Sequence, residues 1–371
     1  MKRALCTALT FALIIFNINI TACAEDLSLS AQAYVLYCVE NDTVILQKNA
    51  VEKMRVASTT KIMTTLLALE HCEVDDPIVK FSETMIAEGS SMYLKVGDSV
   101  HLSDLATGMM MASGNDAANA TALTISKSLE EFSVLMNKRA KEIGMENTNF
   151  VTPSGLDDEN HYSTALDMAK LMSEALQNER FCEITKSKAL SVEFLTPRKQ
   201  VTYNNHNRLL SLYDYCIGGK TGYTKSAGRC LVSASRKDGV TLVAVTLNAP
   251  SDWDDHIKLY DYGFERYKAV ENSDENETFT ADVVGGVADS VKLHCKKTSN
   301  VVVENDDADK VTRTVYIPKF VYAPVVDGQY VGMIVYRLND EIVSKTPLFA
   351  SADINREIND NKKGFLHKLF D

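Results

Sequence analysis

Residues 33–48, "AYVLYCVENDTVILQK", form two β-rich runs around Glu40, Asn41 and Asp42, and this predicts a hairpin. The period then lengthens. In "TTKIMTTLLALEHC" the apolar residues Ile62, Met63, Leu66, Leu67 and Leu69 recur at helical intervals. Residues 103–143 read as mostly helical, interrupted by "ASGND", and "STALDMAKLMSEALQN" continues the helical pattern after the loop "TPSGLDDENHY". Strand patterning returns in "GRCLVSASR" and "TLVAVTLNA", joined by the turn "KDG", and a helix is expected over about 253–268. Strands, then helices, then strands predict an α+β domain whose terminal strands share one sheet.

After Val270 the pattern changes. "ENSDENET" is acidic and polar, a linker candidate, and beyond it lie short β-rich runs with almost no helical period. The expected organisation is a leader over 1–24, a first domain over 25–270, a small all-β domain over 271–350 and a tail over 351–371. The leader reading rests on Lys2 and Arg3 before "ALCTALTFALIIF", followed by Ala22-Cys23-Ala24 as a cleavage site. "ITAC" also fits a lipoprotein box with Cys23 as the lipidated residue. Either way the chain is expected to be exported and to act at the outer face of the cytoplasmic membrane or in the wall. The tail ends in "KKGFLHKLFD", basic and apolar, which fits both a membrane-surface segment and a frayed end.

Composition narrows the classes. The 371 residues are 45% hydrophobic and 24% charged, ordinary for a globular chain. A formal net charge of −11 argues against a nucleic-acid partner. Eight cysteines show no C-x-x-C spacing, so mostly free, buried thiols are expected.

The chemistry begins at Ser58 and Lys61, the only S-x-x-K. In a helix this spacing stacks both side chains on one face, about one turn apart. A serine needs a neighbouring base to become nucleophilic, and a lysine can serve where burial or another cation lowers its pKa. Alone, the pair is equally a capping serine and a solvated lysine. Two further unique motifs follow in order: Ser113-Gly114-Asn115, in a loop between helical segments, and Lys220-Thr221-Gly222, placed before the final strand pair. His161, near Asp157, Asp158 and Glu159, is read as a loop-supporting residue. No H-E-x-x-H or G-x-S-x-G accompanies it, and no metal or other cofactor is expected.

Together, S-x-x-K, S-x-N and K-T-G resemble the penicillin-binding and serine β-lactamase superfamily. The flanking "ASTTKIMT", "MASGNDAA", "TPSGLDDENHYSTALDMA", "NHNRLL" and "GGKTGYTKSAG" are similar to low-molecular-mass D-alanyl-D-alanine carboxypeptidases, from about Ala31 to Tyr267. The resemblance implies an α+β fold of the penicillin-binding, β-lactamase-like transpeptidase type, an antiparallel sheet with a helical subdomain, followed by a small all-β domain. It implies a serine peptidase that trims peptidoglycan pentapeptides ending in D-Ala-D-Ala and is acylated by β-lactams. On it, Ser58 is the nucleophile, Lys61 the base and Ser113 the proton relay, with Asn115 holding Lys61 and the substrate amide. Lys220 would supply positive potential, Thr221 would contact the terminal carboxylate, and Gly222 would let the substrate backbone approach. The N–H groups of Ser58 and Tyr223 would form the oxyanion hole. Some relatives carry a further basic residue where this chain has "SDWDDH", which leaves Arg229 as a candidate carboxylate partner. Two other functions stay open here: a serine β-lactamase, and a non-catalytic penicillin-sensing or wall-binding protein.

Overall fold

The structure is a computed structural model that describes residues 27–270, 274–295 and 300–357. The leader, and the tail from residue 358 onward, lie outside the described residues. The first and last strands do share one sheet. Its antiparallel order is Thr43–Lys48, Ala33–Cys38, Val240–Leu247, Gly228–Lys237 and Cys216–Thr224. The central strand Val240–Leu247 is apolar at most positions because every residue of it is buried, with both sheet faces covered. Leu242 and Ala244 face the core shared with Leu259 and Tyr260, whereas Val243 and Val245 face the larger core that holds Met168 and Ala169.

The helices are α1 (Lys61–Cys72), α2 (Leu102–Met111), α3 (Asn115–Ile125), α4 (Leu129–Ile143), α5 (Ala165–Ala175), α6 (Glu179–Lys186), the short α7 (Leu209–Leu212) and α8 (Asp252–Arg266). Helix α1 is buried at every position from Lys61 to Leu69, so it runs through the core rather than along the surface. Ser128 caps α4, accepting from Glu131 N–H at 3.1 Å, and Gly144 ends it at φ +82°.

Two readings shift. The helix expected to reach 268 stops at Arg266, and Tyr267–Val270 becomes a strand paired with Val301–Glu304. Asn115 opens α3 instead of sitting in the preceding loop. Lys220–Gly222 do lie before the final strand pair, inside the strand Cys216–Thr224. The hairpin Ala189–Leu195/Arg198–Asn204 adds an element that was not expected, its Leu190, Val192 and Phe194 facing inward between the exposed Ala189, Ser191 and Glu193.

The later region is a six-stranded sheet ordered Thr312–Tyr316, Tyr330–Leu338, Glu341–Ala350, Ser290–His294, Phe279–Val284 and Phe320–Tyr322. It encloses a separate apolar cluster around Leu293, Ile334 and Leu348. Residues 351–357 stay with this sheet: Ile354 is buried and pairs with Val325, and Arg356 pairs with Gly286. The described cysteines Cys38, Cys72, Cys182, Cys216, Cys230 and Cys295 are all free.

Candidate active site

Ser58 sits on a tight turn, Ala57–Thr60, that leads directly into α1. Ala57 just before it holds φ +47°, a left-handed conformation that costs energy for a residue with a side chain. Lys61 follows one turn later and is fully buried. Its Nζ lies 2.9 Å from Ser58 Oγ, 2.6 Å from Asn115 Oδ1 and 2.8 Å from the Ser154 carbonyl oxygen. Burial pushes this amine well below the usual lysine range, and the nearby Lys220 ammonium pushes the same way, against the weaker pull of Asp116. A capping serine with a solvated lysine is therefore not what this pair is.

The second motif is held from behind. Asn115 Nδ2 donates to the Glu88 carbonyl at 2.6 Å, which turns Oδ1 toward Lys61. Ser113, nearly buried, adopts φ +56°. Asp116 organises the facing loop, accepting from Ser91 Oγ at 2.7 Å, Met92 N–H at 2.8 Å and Leu94 N–H at 3.1 Å.

The third motif closes the other wall. Lys220 is buried in its strand, donates to the Thr221 carbonyl at 2.9 Å, and is pushed down by burial to about 7. A Cβ on Gly222 would stand 2.9 Å from the Val56 carbonyl oxygen and 3.1 Å from Ser58 N, so only glycine lets the strand and the Ser58 turn approach this closely. A cleft of about 320 Å³ opens between these walls, lined by Ser58, Ser113, Thr221, Tyr223, Arg229 and Trp253 among others. Arg229 donates to Asp252 Oδ1 at 2.7 Å and lies 5.6 Å from the Trp253 ring. Its Nε is buried with no hydrogen-bond partner.

Sequence reasoning missed the third wall, the loop before α5. Gly155, at φ +79°, packs so close that a Cβ there would overlap the Ala57 carbonyl at 1.9 Å. Asp157 accepts from Thr224 Oγ1 at 2.9 Å and from Ser226 Oγ, clipping the loop to the end of the Lys220 strand. His161 is buried, accepts at Nδ1 from Val151 N–H (3.0 Å) and Thr152 N–H (3.2 Å), and reaches Thr60 Oγ1 from Nε2 at 2.8 Å. Ser154 acts through its carbonyl, a group that every residue carries, so no side-chain signal could mark it. No group of three or more potential metal ligands occurs among the described residues.

Known proteins resemble this chain along most of its length. The D-alanyl-D-alanine carboxypeptidase family, peptidase S11, matches residues 20–251, and the family described as penicillin-binding protein 5, C-terminal domain, matches 264–356. D-alanyl-D-alanine carboxypeptidase DacF of Bacillus subtilis is 32% identical over 378 residues, spanning 96% of this chain and 95% of that protein. DacC of Escherichia coli is also 32% identical, over 94% of this chain and 88% of its own length. Among solved structures, penicillin-binding protein 5 of Haemophilus influenzae superposes with a TM-score of 0.70 at 28% identity, covering 88% of this chain and 98% of that one. The Streptomyces K15 DD-transpeptidase gives a TM-score of 0.61 at 30% identity, over 64% of this chain and 98% of its own.

Proposed function

Since the chain belongs to the D-alanyl-D-alanine carboxypeptidase family, we propose that it removes the terminal D-alanine from peptidoglycan pentapeptides through a Ser58 acyl-enzyme, and that β-lactams trap the same serine. The observation that carries this reading is Lys61: buried, held below its ordinary pKa, and 2.9 Å from Ser58 Oγ.

The steps follow from the site. Ser58 Oγ attacks the carbonyl carbon between the two D-alanines while its proton passes to Lys61 Nζ. The N–H groups of Ser58 and Tyr223 take the developing oxyanion, and one such donor is typically worth about 10² to 10³ in rate. The proton then returns through Ser113 to the departing D-alanine amine as the C–N bond breaks. Water attacks the ester, Ser58 regains its proton, and the shortened peptide leaves. The terminal carboxylate is met by Thr221, by the positive potential of Lys220 and by Arg229, whose Nε lacks a partner in the cleft wall. Asn115 serves Lys61 on one side and the substrate amide on the other.

The relatives' substrate lies outside the cytoplasm, and we place this chain there too, delivered by its leader. The basic, apolar residues after 358 would bring it to the membrane surface. No helix among the described residues is long and apolar enough to cross a membrane.

Purified protein incubated with a labelled penicillin and, separately, with a D-Ala-D-Ala peptide tests the reading. A stable adduct on Ser58 and released D-alanine are expected, and Ser58→Ala should lose both. Rapid drug turnover without peptide cleavage would make the protein a β-lactamase, and no adduct would make it an idle binder.

A further inference from the structure

One buried histidine stands a single hydrogen bond from the turn that carries Ser58 and has no task in the steps above. Two backbone N–H groups, those of Val151 and Thr152, point at His161 Nδ1. A ring nitrogen that accepts carries no proton, so the proton of the neutral ring sits on Nε2 and is donated to Thr60 Oγ1 at 2.8 Å. The ring thereby joins two segments far apart in sequence, the loop 151–161 and the turn Ala57–Thr60. Ser154 lies in that loop, and its carbonyl oxygen is 2.8 Å from Lys61 Nζ. Thr64 Oγ1 adds a second tie, donating to the Pro153 carbonyl at 2.6 Å.

The form of the amine makes this arrangement consequential. A neutral lysine has two N–H bonds and one lone pair. Asn115 Oδ1 and the Ser154 carbonyl are acceptors only, so each must take an N–H. The third direction, toward Ser58 Oγ, is left to the lone pair. With either acceptor gone, rotation about the Cε–Nζ bond would spread the lone pair over orientations in which no proton can be taken.

We infer that His161 is a positioning residue: by tying the 151–161 loop to the Ser58 turn it keeps the Ser154 carbonyl on Lys61 and so aims the lysine lone pair at the serine hydroxyl. The inference deepens the proposed function and rests on Lys61 being the base. The charged surroundings allow it. Lys61 is faced by Lys220 from the strand and by Asp116 from α3. His161 is faced by Asp157 and Asp158 on its own loop and by Lys61, and burial keeps its ring neutral down to about 4. The hydrogen bonding therefore holds across the pH range in which Lys61 must act.

The test uses the full chain and the variants His161→Ala and His161→Asn. Acylation by a labelled penicillin is timed, and Lys61 is titrated by NMR on ¹³C-lysine-labelled protein, its resonance assigned by its loss in Lys61→Arg. Losing the Ser154 acceptor destabilises the ammonium form, so in His161→Ala the Lys61 titration should move down by about half to one pH unit. Acylation should slow about 10- to 100-fold, the range for a modest misplacement of a reacting group. His161→Asn keeps an acceptor near the Nδ1 position and should recover part of both, which also covers an alanine variant that does not fold. Unchanged titration and unchanged acylation in a folded variant would overturn the inference. So would slower acylation with the Lys61 titration unmoved, since that is what loss of general packing produces. If the wild-type chain formed no adduct, the function would be wrong, while the Lys61 titration would still decide the positioning role.

Discussion

Each of the two regions buries ionisable groups, and they do so in opposite ways. In the later β region Asp274 is fully buried, yet Arg313 stands 2.8 Å away and the Tyr336 hydroxyl donates to it at 2.7 Å. In the first region Lys61 is equally buried, but the groups that bond it are neutral, and its nearest cation, Lys220, opposes its charge. A buried charge is costly unless paired. Asp274 is compensated and holds a fold together. Lys61 has no carboxylate among the groups that bond it, which suits the role of base proposed for it. Burial alone therefore says little about whether a polar residue is structural or catalytic. The partners decide.

Lys61→Arg should break the contrast most directly. Arginine does not give up its proton, so acylation should fall by the full worth of a general base, about 10² to 10⁴-fold, read as adduct formation by mass spectrometry. Lys61→Met should be as inactive but melt no lower than the parent, because it replaces an unpaired buried amine with an apolar chain of similar length. Gly155→Ala comes next: its Cβ would overlap the Ala57 carbonyl and push the nucleophile turn, and an acylation loss of about 10²-fold is expected with secondary structure intact. Asp274→Ala should do the reverse, lowering stability by about 2–3 kcal/mol in a denaturant titration while leaving the acylation rate alone. That loss sits low for a broken buried pair because Arg313 retains Glu277 at 2.8 Å. The mildest test is pH. Lys220, held at about 7, loses its charge as pH rises, so kcat/KM should decline above an inflection near 7. A bound substrate carboxylate favours the ammonium, so the same limb in kcat should lie higher.

The motif residues were legible because their chemistry is local. Ser58 and Lys61 are three residues apart on one turn, and Lys220 to Gly222 are consecutive in one strand. The strands Ala33–Cys38, Gly228–Lys237 and Val240–Leu247 were legible too, since a strand buried on both faces can hardly hide its apolar run. What the sequence could not offer were contacts made across the chain by ordinary groups. The Ser154 carbonyl on Lys61 spans 93 residues, and the His161–Thr60 bond spans 101. Arg229 was legible as a cation but not as one paired with Asp252, whose segment had been noted only for lacking a basic residue. The hairpin 189–204 is a different case: Leu190, Val192 and Phe194 alternate with the exposed Ala189, Ser191 and Glu193, and Val201 and Tyr203 continue that face on the paired strand, a stripe that went unread because it is short and one-sided.

The strand Cys216–Thr224 ends the five-stranded sheet, and besides its one strand neighbour Thr185 of α6 bonds its Gly219. An open strand edge is ordinarily where protein chains stick to one another, and proteins blunt it with proline, bulges or inward charges. This strand has a register shift between Cys216 and Gly218 and an inward Lys220, but Thr221, Gly222 and Tyr223, which line the cleft, keep an edge along which an extended peptide could lie. The cleft wall is thus also a weak point for colloidal behaviour. Concentrated protein should self-associate less when a β-lactam fills the cleft than when it is empty, a difference that light scattering can read.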